Sequence, residues 1–436
     1  MRSNALVYIL SIMAAIFIGW FLFNPGFSGI IEYTIMLAFF VLIAWSVLVF
    51  FVPDREERGY LVSIFLVALV LRILVSMLVH TLLPPGYFAP DEAGILENGR
   101  WFAESLSGSI SYYGHPDSPA TIAAMVFYMF GYKPNILFLL VNFLGALSVL
   151  NIYFITKRLF NTQSARYSAM VVTVLPSLVL WSSMPTKDPY SQFLITSVIH
   201  LALRVKERFR ISNVMLILVS IALIGFIRGY LLIIVLLGIT SSFIPFRRET
   251  FLRNVIVVAL FAMSFSLFFS SYEAKKVPNY GENPQGVLQT LQQTRSGFYT
   301  GGSKMLGTID VSNPANAVIY SPLLLAMFFL APFPWDITGS MIHNLATAES
   351  LVWYFFFFYA IKGIIGALKE GKFDIMPVLI MIGVLSVAYA LAITNLGAAY
   401  RFRGQVSGLL LVFSGYGLYL RKQTRAKNYP TADAQK

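Results

Sequence analysis

The chain has 436 residues, of which 57% are hydrophobic, 15% aromatic and only 12% charged. A soluble domain carries about 25% charged residues, so the composition excludes a water-soluble enzyme and a disordered chain, and it predicts an all-α polytopic membrane protein. With no cysteine, no disulfide framework can form. The net charge of +12 would suit a nucleic-acid partner only as a basic face on a folded surface, and its distribution along the chain argues against that.

A helix needs about 20 mostly apolar residues to cross the hydrocarbon core. Runs at 5–23, 30–52, 60–83, 135–156, 164–182, 189–204, 212–227, 229–246, 254–272, 350–367, 375–393 and 404–420 meet or approach that length. They predict about twelve transmembrane helices. The first run follows Arg2 and has no small-x-small cleavage site after Phe23, so it reads as an anchor and not as a removed signal peptide. Arg228, in the middle of 212–246, argues for a break between two spans. With the N-terminus in the cytoplasm and the spans alternating, about two thirds of the 32 basic residues fall on the cytoplasmic side, and the acids lean the other way. The basic excess is a topology signal and predicts no nucleic-acid partner.

On this map the chain divides into two N-terminal transmembrane helices (1–59), a transmembrane core (60–270) with an extracytoplasmic loop at 84–134, a second extracytoplasmic loop (271–349), C-terminal transmembrane helices (350–421) and a basic cytoplasmic tail (422–436). Within the first loop, Ile95, Gly99, Phe102 and Leu106 fall on one helical stripe with Glu97, Arg100 and Glu104 off it, which predicts an amphipathic helix over 91–106 lying on the membrane surface. Ser118-Pro119, a capping hydroxyl followed by proline, starts a second helix that stops at Gly131. At about 1.5 Å per residue it is too short to cross, and is read as juxtamembrane or half-inserted. The second loop carries the turn signals Gly281-Glu-Asn-Pro-Gln-Gly286 and Gly301-Gly302. The apolar run 315–333 is read as membrane-parallel or re-entrant, because a crossing there would place Lys362, Lys369 and Lys372 outside, against the positive-inside bias.

The sharpest site candidate is Pro90-Asp91-Glu92, where the chain emerges from the third span. A carboxylate at that boundary can accept a proton from an attacking hydroxyl; the same residues also start a helix well, since acids are favoured in the first turn. Lys187-Asp188 lies in a tight turn on the same outer face, where Asp188 serves either as a cap or as a second acid. Arg228, Arg401 and Arg403 stand at outer ends of spans, where a guanidinium suits phosphate or merely snorkels. Arg401 and Arg403, two residues apart, concentrate positive charge where the chain re-enters the lipid. His115 precedes the second loop helix and is positioned to serve as donor or acceptor. Arg72 sits mid-span and must face protein or water, with His80 about two turns further on roughly the same side. The aromatic run Trp353 to Tyr359 is read as lipid or bundle packing. No cofactor signature exceeds background; Asp91, Glu92 and Asp188 would take a divalent cation only if the fold brings them together. There is no phosphate-binding loop or dinucleotide fingerprint.

The order of these elements resembles the GT-C superfamily of membrane glycosyltransferases, in the branch of the protein O-mannosyltransferases and the lipid A aminoarabinose transferase. The resemblance runs through Asp91-Glu92; His115-Pro116 and the apolar helix ending Phe130-Gly131; Lys157-Arg158-Leu159-Phe160; Leu175-Pro176-Ser177 leading to Trp181-Ser-Ser and Lys187-Asp188; and Tyr400-Arg-Phe-Arg403. It covers about residues 60–230 and 395–420. It implies a sugar donor on a polyprenyl phosphate or diphosphate, and a lipid, glycan or protein acceptor. Transfer would take place with inversion on the extracytoplasmic face of a bacterial or archaeal inner membrane. Asp91 would be the general base, Glu92 its neighbour orienting the acceptor, and Asp188 a second acidic contact. Arg228, Arg401 and Arg403 would meet the lipid phosphate, with His115 and Lys187 also in contact with substrate. Two departures leave the acceptor open: His115-Pro116-Asp117 lacks the second proline and leucine of that branch, and the first two spans have no counterpart in the motif set. A polysaccharide polymerase would use Arg401 and Arg403 but gives no place to Asp91-Glu92. A lipid-linked glycan flippase or transporter would carry mid-membrane ionisable groups and repeats, and only Arg72 is plainly central.

Overall fold

The structure is a computed structural model that describes residues 30–84, 86–111, 116–243, 287–298, 309–336 and 341–428. The expected spans 5–23 and 254–272, the turn signals at 281–286 and 301–302, and His115 lie outside these residues. The described residues form helices and contain no strand. In chain order they are α1 (Ile30–Phe51), α2 (Arg55–Leu82), α3 (Asp91–Leu106), α4 (Ser118–Phe130), α5 (Pro134–Leu159), α6 (Thr162–Val174), α7 (Pro176–Trp181) and α8 (Lys187–Glu207). They continue with α9 (Ile211–Ile227), α10 (Leu231–Phe243), α11 (Val287–Phe298), α12 (Pro314–Leu330), α13 (Met341–Lys369), α14 (Met376–Ala392) and α15 (Leu396–Asn428).

The protein is an all-α membrane protein. Among the described residues five helical stretches are long and apolar enough to cross: 32–49 in α1, α2, α5, 343–369 in α13, and 373–392 around α14. Four shorter apolar helices, α4, α9, α10 and α12, accompany them. The expected count of twelve is not confirmed among the described residues, which leave out two of the expected spans, and the departures seen have local causes. The run 164–182 is two helices, because Pro176 lacks an N–H and drives Leu175 out of the helical region. The break at Arg228 is present: α9 ends at Ile227, Arg228 is extended (φ −150°, ψ 91°), and α10 starts at Leu231. The span expected at 350–367 is the middle of the 29-residue α13, so Glu349, placed by the sequence at the end of a loop, lies inside a helix.

The chain forms two compact units. Unit 1 comprises residues up to 150 together with 173–175 and 179–193; unit 2 comprises 151–172, 176–178 and the chain from 194 onward.

In unit 1, α3 spans the residues its periodicity predicts. Its buried stripe, however, is Glu92, Ile95, Gly99 and Ala103, and Leu106 is half exposed to solvent or lipid. Gly99 lets α3 close on α4: a Cβ there would stand 2.7 Å from the Ala123 methyl and 3.2 Å from the Ala120 carbonyl. Ile95, Ala103, Ala123, Ala124 and Phe127 then share one apolar cluster with Ile136 and Leu137 of α5. α4 is capped by Asp117, whose carboxylate accepts from the Ala120 N–H, and not by Ser118 as the sequence suggests; the cap stands one residue earlier, and proline follows at the second helical position. Its C-terminus is Gly131, at φ 75°, where a side chain would be strained.

In unit 2 the tightest packing is α13 against α15. A Cβ on Gly363 would collide with the Phe413 carbonyl, and one on Gly417 with the Tyr359 carbonyl. The Ser414 hydroxyl bonds the Phe356 carbonyl at 2.8 Å across the same crossing. Small residues that let backbones approach are the ordinary solution where no hydrophobic force separates helix contact from lipid contact. Gly363→Leu should therefore cost about 3 kcal/mol or more, because the obstruction is backbone. Gly383→Ala, with open space around it, should leave thermal unfolding in detergent unchanged or slightly raised. Equal melting temperatures for the two variants would contradict the crossing.

Candidate active site

Two groups of polar residues stand out, one in each unit. In unit 1 the first lies where α2 ends and α3 begins. Asp91 and Glu92 open α3, where the unpaired N–H groups and the helix dipole favour acids. Adjacent on a helix, they point in different directions. Asp91 is exposed, whereas Glu92 faces inward at 2% exposure. The Glu92 carboxylate meets the His80 Nε2 at 2.6 Å. His80 is itself held, with Nδ1 2.6 Å from the Ser76 carbonyl and the ring stacked on Phe138 at 3.9 Å between centroids. The sequence placed His80 beside Arg72 and gave it no acid. The helical column 72, 76, 80 pointed to the shared face of α2, but no local spacing marked Glu92, across the α2–α3 connection, as the partner.

Further along that face, Arg72 is fully buried and fills the space beside Gly145, where a Cβ would stand 2.7 Å from its Nε. Its Nε donates to the Ser182 hydroxyl at 2.7 Å and its Nη1 to the Ala68 carbonyl at 3.0 Å. Ser182 begins the buried turn that leads to Lys187 and Asp188. The Thr186 hydroxyl donates to the Asp188 carboxylate at 3.0 Å, and Asp188 is buried in the first turn of α8. The Lys187 ammonium reaches the Asp117 carboxylate at 3.2 Å, so Lys187 pairs with the residue that caps α4. Asp91, Glu92 and Asp188 do not gather into a metal site: the described residues contain no group of three or more His, Cys, Asp or Glu able to hold an ion.

In unit 2 the second group surrounds the start of α15. Arg403 is 2% exposed; its Nη1 donates to the Phe329 and Ala331 carbonyls, both at 2.9 Å, and its guanidinium lies over Trp353 at 5.5 Å and Tyr400 at 5.6 Å. Arg401 is half-buried. Residues two apart on a helix are separated by about 200° around its axis, so the pair does not pool its charge as the sequence spacing suggested. The two serve different surroundings. Arg228 lies over Phe402 at 4.9 Å and donates to the Tyr230 hydroxyl at 3.2 Å.

A carboxylate the sequence did not single out completes this group. Glu349, buried in α13, accepts from the Ser177 N–H and hydroxyl at 2.7 and 2.5 Å and from the Tyr400 hydroxyl at 2.6 Å. Three donors are what a buried carboxylate needs. Trp353 is likewise more than bundle packing, because its indole N–H bonds the Phe329 carbonyl at 2.7 Å.

Comparison with known proteins covers part of these residues, including Asp188 and Arg228. Residues 114–272 match the family model described as dolichyl-phosphate-mannose-protein mannosyltransferase. A comparison with curated proteins returns no match. Among solved structures, the apo crystal structure of the Archaeoglobus fulgidus oligosaccharyltransferase has a TM-score of 0.46 at 16% identity, over 82% of this chain and 50% of that one. The archaeal oligosaccharyltransferase AglB from the same organism, in complex with an inhibitory peptide and a dolichol-phosphate, has 0.45 at 13% identity, over 87% and 53%. The chain thus spans about half the length of these structures. Through residues 114–272 it carries the sequence pattern of a GT-C membrane glycosyltransferase family, the one its motif order resembles.

Proposed function

We propose that the protein transfers a sugar from a polyprenyl-phosphate-linked donor to a lipid, glycan or protein acceptor at the extracytoplasmic membrane surface, with inversion at the anomeric carbon. The observation that carries this reading is the family match over 114–272, whose description names a sugar on a polyprenyl (dolichyl) phosphate. Asp91 is the general base, an exposed carboxylate in the first turn of a helix beside a membrane span. It takes the hydroxyl proton as the acceptor oxygen attacks the anomeric carbon. The carbon–oxygen bond to the phosphate breaks with its electron pair leaving on the phosphate, and a single displacement inverts the centre.

A phosphate leaving group needs charge stabilisation more than a proton, and preorganised guanidinium groups supply it. Arg401 is the main phosphate contact, with Arg228 beside its neighbour Phe402 as a second. Arg403 supports them by holding the 329–331 segment. Asp188 is a second acidic contact, Lys187 ties the α8 turn to Asp117, and His115 is a further substrate contact.

The test is mass spectrometry of products formed by the purified protein with a panel of polyprenyl-phosphate and polyprenyl-diphosphate sugars and mixed acceptors. One sugar should move from a lipid-linked donor, with none moving from nucleotide sugars. Movement of an unaltered lipid-linked sugar between vesicle leaflets, with no new glycosidic bond, would make the protein a flippase instead.

A further inference from the structure

We propose that His80 is a positioning residue for the acidic turn. Its imidazole clamps Glu92 into unit 1 and so fixes the direction in which Asp91, one residue earlier, is presented. The inference rests on the reading of Asp91 as the base.

The donors and acceptors define the clamp. A backbone carbonyl can only accept, so the 2.6 Å contact between Nδ1 and the Ser76 oxygen requires a proton on Nδ1. Nε2 then faces the Glu92 carboxylate at 2.6 Å with one proton between them, carried either by an imidazolium or by a protonated Glu92. The ring has no freedom to turn away, since Phe138 covers one face.

His80 is the only side-chain partner of Glu92 among the described residues. Without it a carboxyl at 2% exposure would lose its compensation, and an uncompensated polar group is driven out of the interior. The Glu92 backbone N–H is tied to the Ala89 carbonyl at 2.9 Å, so a Glu92 released from its partner loosens the first turn of α3. Asp91 moves with that turn. The clamp closes from α2, a long helix whose buried Arg72 also holds Ser182, so the acidic turn takes its position from a rigid element and not from the loop around it.

The experiment uses the full chain in nanodiscs. Because the protein has no cysteine, Asp91→Cys gives a unique site for a nitroxide label. His80→Phe keeps the stack on Phe138 and removes both ring nitrogens; His80→Gln keeps a donor for Glu92. The label should gain mobility with His80→Phe and return towards its original state with His80→Gln. An unchanged spectrum with His80→Phe overturns the inference. Should that variant not fold, Glu92→Leu opens the clamp from the other side and must give the same response.

With Asp91 intact, His80→Phe should lower kcat roughly 10²-fold, the effect of a small misplacement of a reacting group, at unchanged donor KM, and His80→Gln should recover most of it. A changed donor KM with unchanged kcat also overturns the inference. If the wild-type protein transfers no sugar, the functional reading falls while the label still decides the positioning. If transfer is found and the label is unmoved, the positioning falls alone.

Discussion

Asp91→Asn should lower sugar transfer by about 10²–10⁴-fold, the usual contribution of a positioned base, with little effect on folding. The side chain is exposed and the substitution changes hardly any volume. The structural loss includes the favourable interaction of an acid with a helix N-terminus, about 0.3–1 kcal/mol. Glu92→Gln makes the informative contrast. It also removes one carboxylate charge, but from a buried position against His80, so its effect should include a lower unfolding temperature and a smaller fall in kcat. Turnover and thermal unfolding measured on both variants separate the roles. Loss of activity confined to Asp91→Asn identifies the base, and undiminished turnover in that variant removes Asp91 from the chemistry.

Why the sequence placed Asp91 and Glu92 correctly on α3, yet did not foresee that one is exposed and the other buried, follows from what local pattern encodes. The ends of α3 and α4 were legible because the signals are local: acids after Pro90, a proline near the start of α4, and Gly131 where the backbone turns to positive φ. The break at Arg228 was legible for the same reason, since an arginine inside an apolar run must reach polar surroundings. Burial direction was less so. The stripe through Ile95 and Gly99 was read towards Phe102 and Leu106, but it also runs back one turn to Glu92, and a buried glutamate cannot be recognised until its partner is known. That partner lies across a turn in His80. The unit 2 network is harder still: Ser177, Glu349 and Tyr400 are brought together from three helices, and no spacing within any one helix marks them. The span expected over 164–182 failed because a single proline outweighed a continuous hydrophobic run.

Arg401→Gln and Arg403→Gln should separate in a way that equal charge loss does not predict. Arg403 satisfies two backbone carbonyls and is covered by Trp353 and Tyr400. A glutamine there leaves at least one buried carbonyl without its donor, at about 1–3 kcal/mol for each acceptor lost, so Arg403→Gln should lower the unfolding temperature. Its effect on donor binding should come through displacement of the 329–331 segment. Arg401 is half-buried and turned about 200° away around the same helix. Arg401→Gln should raise the donor KM by about 10-fold or more, the value of one hydrogen bond to a charged group. Binding of a non-hydrolysable polyprenyl phosphate, with and without the sugar, reads this directly. If Arg401 contacts the phosphate, both ligands weaken together; if only the sugar-bearing ligand weakens, Arg401 contacts the sugar, and if neither changes, it is a lipid-interface anchor.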